Sequence, residues 1–315
     1  MVIGFDIGGT KLAVGIDDGT GVRIRKEPIP GGGHPLEVIE RMLAIGEELR
    51  EGRGVRGVGI SIGGPLDHQE GVVINFPHLP GWRDIPLASI VSERLGLPVR
   101  IDNDANLAAL AEYRHALEGG DLDPALPFLY LTLSTGIGGG VIIDGKILHG
   151  VRTGAGELGH VTVDPEGPYC LCGNRGCLEQ MASGTNIAAA ARRRAAEEPE
   201  RGAWLRTQAG GVIERIRAEE VVEGYRAGDP LSTEIWLTAI RHLAIGLGSI
   251  IHVLAPARIV LGGGLSLAGD ALLDPLRPAL AEHVFYVSLD RIRVDVAALG
   301  HDSAVRGAVL VGGEG

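Results

Sequence analysis

Glu157-Leu-Gly-His160 is followed ten residues after the histidine by Cys170-Leu-Cys172-Gly-Asn-Arg-Gly-Cys177-Leu-Glu179, and no cysteine occurs elsewhere in the chain. Cys170, Cys172, Cys177 and His160 supply three thiolates and one imidazole, the usual closed tetrahedral set for a structural zinc ion. Three buried cysteines beside a chance histidine would leave their clustering unexplained. Glu157 and Glu179 flank this knot without being needed by the metal, and carboxylates so placed suit a polyhydroxylated ligand.

Three further kinds of stretch carry chemistry. Asp6 stands just before Gly8-Gly9-Thr10, and Thr135-Gly136-Ile-Gly138 repeats the glycine pattern later in the chain. Small residues at such a turn let backbone N–H groups lie against a phosphate, and Asp6 is placed to hold a hydrated magnesium ion. Asp102-Asn103-Asp104-Ala105-Asn106 puts two acids and two amides at one junction. An Asp or Asn there is explained equally by helix capping and by general-base chemistry. Gly262-Gly263-Gly264 is a third place where backbone can approach a flat ligand, and Gly63-Gly64-Pro65 a fourth loop of close approach.

The elements around these residues follow from periodicity. Residues 2–16 read as strand, glycine turn, strand, and residues 128–148 repeat that opening, which predicts two related lobes. The turns return into strands, whereas a dinucleotide fingerprint or a P-loop would open a helix. Gly140 to Lys146 has the outline of a Walker motif but lacks the Ser or Thr after the lysine. Apolar spacing predicts helices over 35–50, from 107, over 182–198, 233–253, 268–281 and 304–311, with strands over 55–62, 98–101 and 258–261. Residues 75–82, including His78 and Trp82, are too rich in Pro and Gly for regular structure and read as an ordered loop. Residues 118–127 read as a linker.

At 315 residues the length allows about two domains, and the net charge of −11 argues against a nucleic-acid partner held through phosphates. The first residues lack the basic and apolar regions of a signal peptide, and residues 243–261 are interrupted by His252, Pro256 and Arg258. Cysteines at metal spacing point to a reducing compartment. A cytoplasmic protein without membrane partner is expected, and the apolar helix over 233–253 leaves surface for a homodimer or homotetramer.

Asp6-Ile-Gly-Gly-Thr-Lys11, Asp102-Asn-Asp-Ala-Asn106, Ser134-Thr-Gly-Ile-Gly-Gly139, Glu157-Leu-Gly-His160, the Cys170 to Glu179 knot and Leu261-Gly-Gly-Gly264 occur in the order found in the ROK family. The chain resembles that family of repressors and sugar kinases, and most closely its glucokinase-like members. The Cys/His/Glu combination is the specific part of the resemblance. It implies an α/β, actin-like (ribonuclease H-like) fold of two lobes, with ATP, magnesium and a sugar bound in the cleft between them. Residues 1–117 would form one lobe, completed by 301–315, and 118–300 the larger zinc-bearing lobe. The implied reaction is ATP-dependent phosphorylation of the 6-hydroxyl of a hexose, glucose first, with N-acetylmannosamine, N-acetylglucosamine, mannose or fructose as alternatives. The motifs leave polyphosphate and ADP open as donors.

By the same resemblance Asp104 is the catalytic base, and Gly64, Asn103, Glu157, His160 and Glu179 contact the sugar. Asp6, Gly8, Gly9, Thr10, Lys11, Thr135, Gly136 and Gly138 would hold the triphosphate and its magnesium, and Gly262, Gly263 and Gly264 would border the nucleoside. One departure is visible: the family's Pro-Gly-Pro reads Gly63-Gly64-Pro65 here, a less rigid loop for the contact at Gly64. A sugar-sensing repressor of the same family would carry a helix-turn-helix segment ahead of Asp6. An actin-like chaperone ATPase would share the glycine turns but have no use for the zinc knot.

Overall fold

A computed structural model describes residues 1–77 and 79–314, so His78 of the proline-rich loop lies outside the described residues. In chain order the first elements are β1 (Val2–Ile7), β2 (Lys11–Asp17), β3 (Val22–Pro28), α1 (Pro35–Arg50), β4 (Gly57–Ile62), β5 (Leu66–Asp67), β6 (Val72–Asn75), β7 (Arg83–Ile85), α2 (Leu87–Leu95), β8 (Val99–Asn103) and α3 (Asp104–Glu118). They continue with β9 (Phe128–Leu133), β10 (Ile137–Ile143), β11 (Lys146–Ile147), α4 (Leu178–Ala182), α5 (Gly184–Glu197), α6 (Ala203–Gln208), α7 (Ala218–Ala227) and α8 (Pro230–Leu254). The last are β12 (Arg258–Gly262), α9 (Asp270–Ala281), β13 (Arg293–Val296) and α10 (Ser303–Gly312).

Two five-stranded sheets share one topology. The first runs β3-β2-β1-β4-β8 and the second β11-β10-β9-β12-β13. In the first, β1 pairs antiparallel with β2 and parallel with β4, while in the second β9 and β12 pair in parallel. Parallel neighbours require crossovers, which α1 supplies in the first sheet and α4 to α8 in the second. Nearly every residue of β1, β2 and β4 is buried, as expected of central strands rich in Val and Ile, whereas β3 alternates and carries Arg23, Arg25 and Lys26 along its edge.

The chain divides into two compact units, 1–121 with 140–156 and 298–315, and 122–139 with 157–297. In the first unit α10 packs on α3, β1 and β4. Glycines make that approach possible: a Cβ at Gly59 would lie 1.9 Å from the Ala308 carbonyl oxygen, and one at Gly307 would lie 2.0 Å from that of Leu107. Gly59→Ala is expected to cost about 1–3 kcal/mol of stability by forcing α10 off the sheet, read as a lowered denaturation midpoint.

Residues 140–156 fall in the first unit rather than, as expected from sequence, with residues 118–300. The physical reason is contact: a Cβ at Gly140 would sit 2.6 Å from the Ala105 carbonyl oxygen of α3, and His149 bonds to Asp102. The strand expected to run from Val141 to Leu148 instead reverses at Asp144 and Gly145, both at positive φ, so β10 and β11 form a hairpin.

The second unit is organised on α8, which packs against α4, α5, α7 and α9. Its apolar stretch is long enough to cross a membrane by length and composition, and half of that window is buried. The expectation that residues 243–261 are too broken for this started inside the helix, which begins at Pro230. Packing on four neighbours accounts for its apolar character.

Candidate active site and metal centre

In the first unit the β1–β2 hairpin closes with the Gly8 N–H donating to the Lys11 carbonyl at 2.9 Å, leaving Thr10 and Lys11 exposed at its tip. Asp6, one strand residue earlier, is partly buried and accepts a hydrogen bond from the Ser61 hydroxyl at 2.6 Å. Burial pushes its carboxyl up to about 6; the Ser61 bond opposes this, and the charge of nearby Asp104 adds to it. Two acids repelling each other beside a glycine hairpin fit a hydrated magnesium ion, which would neutralise phosphate charge there.

The sign of the Asp6 effect is testable. Its carboxyl sits above the unfolded value, so its contribution to stability is full below about 3.8 and lost as pH rises through about 6. Asp6→Asn is expected to raise the thermal midpoint at pH 7.5 without added magnesium and to flatten the pH dependence between 4 and 6. The same variant should lose activity.

At the β8–α3 junction the cap is Asn103, whose Oδ1 accepts the N–H groups of Ala105 at 2.9 Å and Asn106 at 3.4 Å. Asp104 is the first helical residue, and its Oδ1 also accepts from Ala105 at 2.9 Å. A Cβ on Gly63 would lie 3.4 Å from Asp104 Oδ2, so the Gly63–Pro65 loop passes close to this carboxylate. Gly64 has φ +85°, and a Cβ there would meet the Asn75 carbonyl oxygen at 2.3 Å, which requires glycine whatever the loop binds.

In the second unit His160, Cys170, Cys172 and Cys177 place one ligand atom each within 4.8 Å of one another. Cys172 Sγ and Cys177 Sγ are 3.6 Å apart, as are Cys170 Sγ and His160 Nδ1. Zinc–sulfur bonds of about 2.3 Å in a tetrahedron separate two sulfurs by about 3.8 Å, so the set fits zinc. Without a cation, burial pushes the Cys177 thiol up to about 12, while the Asn174 backbone amide lowers that of Cys172. A zinc ion would supply the charge that holds all three as thiolates and tie the knot together. Gly176 turns the chain inside it: at φ +60° its Cβ would lie 1.5 Å from the Asp164 carbonyl oxygen. His160 faces the thiolates through Nδ1, while its Nε2 lies 3.8 Å from Glu157 Oε2. One imidazole therefore touches both the metal set and the first flanking carboxylate.

Glu179, the second flanking carboxylate, is reached two residues after Cys177, in the first turn of α4. Its Oε2 accepts the Ile137 N–H at 2.9 Å, and a Cβ at Gly136 would lie 2.4 Å from the same oxygen. The turn from Thr135 to Gly138 is thus seated on Glu179, and the Ser134 carbonyl accepts the Gly184 N–H at 2.8 Å at the start of α5. Gly262 ends β12 against Tyr130, Gly263 follows it against Leu133 of β9, and a Cβ at Gly264 meets nothing within 4 Å.

Two groups that the sequence did not single out sit beside these residues. Asp102, quoted there only as part of its motif, is 5 % exposed and bonds to His149, which stacks on His68. Ser61 is fully buried against Asp6. Nothing in the spacing of His68 and His149 along the chain signals their pairing.

Duplicated sheets of matching strand order, each with a glycine turn between its first two strands, define an actin-like, ribonuclease H-like ATPase fold, here with a Cys/His metal centre. Residues 2–312 match the model of the ROK family, and the chain belongs to it. It is 35% identical over 277 residues to a glucokinase of Streptomyces coelicolor, covering 88% of this chain and 86% of that one. It is 34% identical over 317 residues to a glucokinase of Thermotoga maritima, covering 98% and 96%. The fold matches a ROK family glucokinase from Streptomyces griseus in complex with glucose and AMPPNP, with a TM-score of 0.83, 33% identity, and coverage of 100% and 99%.

Proposed function

We propose that this chain is an ATP-dependent hexose kinase that phosphorylates the 6-hydroxyl of glucose. The observation that carries the reading is similarity to glucokinases along almost the whole chain, at 34–35% identity, combined with an intact Asp104 and a complete His/Cys metal set. Asp104 takes the proton from the 6-hydroxyl as its oxygen attacks the γ-phosphorus of ATP. The new bond is O6–P, the bond to the departing ADP oxygen breaks, and glucose 6-phosphate and ADP result.

Phosphoryl transfer asks a protein mainly for positioning and charge neutralisation. We assign the triphosphate and its magnesium to Asp6, Gly8, Gly9, Thr10 and Lys11 and to Thr135, Gly136 and Gly138, and the nucleoside to Gly262, Gly263 and Gly264. Asn103, Glu157, His160 and Glu179, with the backbone at Gly64, are assigned to the sugar. The zinc is structural, because four protein ligands leave no open position. The two-unit division and the resemblance support these assignments as one lobe for residues 1–117 and 301–315 and another for 118–300, apart from the 140–156 segment described above.

A coupled ADP-release assay over glucose, mannose, fructose, N-acetylglucosamine and N-acetylmannosamine tests the reading, with glucose expected to give the highest kcat/KM. No sugar-dependent turnover with any of them would sink it, and preference for another hexose would keep the kinase and change the substrate. Cytoplasmic location, absence of nucleic-acid and membrane partners, and a homodimeric or homotetrameric state belong to the same proposal. The cysteines at metal spacing support the location, and the net charge of −11 supports the absence of a nucleic-acid partner. Light scattering after size exclusion reads the last.

A further inference from the structure

Asp102 is a buried carboxylate directly ahead of the two residues assigned to the sugar and to proton transfer. A buried charge persists only where its oxygens are satisfied. Here Oδ1 accepts the Asn103 N–H at 2.7 Å and the Asn106 side-chain amide at 3.0 Å, both from its own segment. Oδ2 lies 2.6 Å from His149 Nε2, on the loop after β11. A carboxylate oxygen accepts, so the imidazole is the donor.

The imidazole is itself held. His149 stacks on His68 with ring centroids 3.6 Å apart and planes 7° from parallel. His68 Nδ1 lies 2.8 Å from Thr153 Oγ1, and the same hydroxyl accepts the His68 backbone N–H at 3.4 Å. The loop these contacts fasten carries Arg152 and Thr153 at φ +50° and +59°, a conformation that side chains other than glycine adopt only when neighbours enforce it. His68 follows β5, so two separate stretches of the first unit converge on the junction where α3 begins.

The geometry points to His149 as a positioning residue for the catalytic turn: through Asp102 it fixes the Asn103 peptide and hence the direction of the Asp104 carboxylate, with His68, itself held by Thr153, stacked on its ring. This inference rests on the kinase reading above. Removing the imidazole leaves Asp102 Oδ2 without that donor and frees the Asn103 peptide to rotate. A displaced base costs rate rather than substrate binding, because near-attack geometry is needed only in the reacting complex. The contacts of His149 run to Asp102 and His68, on the side of the base, so KM for ATP should not follow.

The test compares wild type, His149→Ala, His149→Gln and His68→Ala in the coupled ADP-release assay, with glucose and ATP each varied and with thermal midpoints measured in parallel. His149→Ala is expected to lower kcat on the order of 10- to 100-fold with KM for ATP within twofold of wild type. His149→Gln, whose amide N–H can still reach Asp102, should recover most of that loss. His68→Ala should give an intermediate loss. A His149→Ala enzyme with wild-type kcat overturns the inference, and so does a loss that the Gln variant does not restore or that tracks a fallen thermal midpoint in both variants. Should His149→Ala fail to fold, the Gln and His68→Ala enzymes decide by the same criteria. A wild-type protein that turns over no sugar overturns the kinase reading and this inference together, whereas an active wild type with insensitive variants overturns this one alone.

Discussion

Asp104→Ala is expected to lower kcat for glucose phosphorylation by about 10²- to 10⁴-fold, the usual worth of a positioned general base. The fold should survive the change for a specific reason. The first turn of α3 is capped by Asn103, which accepts from both Ala105 and Asn106, so the Asp104 carboxylate is not needed to start the helix. Asp104 adds a second acceptor to the Ala105 N–H, and losing a duplicated contact costs little. The measurement is steady-state kinetics with a circular-dichroism melt of the same preparation. A variant that keeps more than about a tenth of wild-type kcat with a native melt would remove Asp104 from the role of base. A variant that unfolds would show that the carboxylate is structural.

Cys177→Ser is expected to have the second large effect, on metal content and sugar affinity together. Cys177 is fully buried, and a serine hydroxyl is a poor zinc ligand whose oxygen would then be buried beside two thiols. Around the metal set, short backbone bridges join Thr162 to Cys177 and Tyr169 to Arg175, the Asn174 side-chain amide donates to the Thr162 hydroxyl at 2.8 Å, and Arg175 lies over the Tyr169 ring at 4.7 Å. Loss of zinc frees His160 Nδ1, and with it the ring whose Nε2 faces Glu157. Glu179, two residues after Cys177, would shift too and unseat the Gly136–Ile137 turn. Elemental analysis should therefore find less than about 0.1 equivalent of zinc, with KM for glucose raised on the order of 10- to 100-fold. Retention of a full equivalent of zinc, or an unchanged KM, would separate the knot from sugar binding.

The two effects divide the labour of the site. On the proposed reading, loss of Asp104 should appear in kcat. Loss of the zinc knot, to which the sugar contacts are assigned, should appear in KM. Glu179 has two attachments within its own unit, since its backbone carbonyl accepts from Asn186 at 3.0 Å while its side chain seats the glycine turn assigned to the triphosphate.

Much of this was determined by local sequence. Val- and Ile-rich runs broken by Gly-Gly-Thr and Thr-Gly-Ile-Gly dictate hairpins, because only such turns return a strand on itself within a few residues. Metal-ligand identity was equally legible, since thiolate spacing on a short loop is a local property. The matching order of the two sheets was foreshadowed by the repeated opening, as strand pairing next to a hairpin is local.

What only the tertiary structure decided involves residues far apart in the chain. At Asp102-Asn-Asp the structure gives the capping role to Asn103, with Asp104 one residue inside the helix, an exception in being local. The 140–156 segment joins the first unit because Gly140 leaves room for α3, a contact across some thirty residues that no periodicity encodes. Burial on folding and the nearby Asp104 charge push the Asp6 carboxyl up to about 6, against the opposing Ser61 hydrogen bond. His68, Asp102 and His149 meet only when β5, β8 and the loop after β11 are brought side by side, and a pair of stacked rings leaves no trace in composition or spacing.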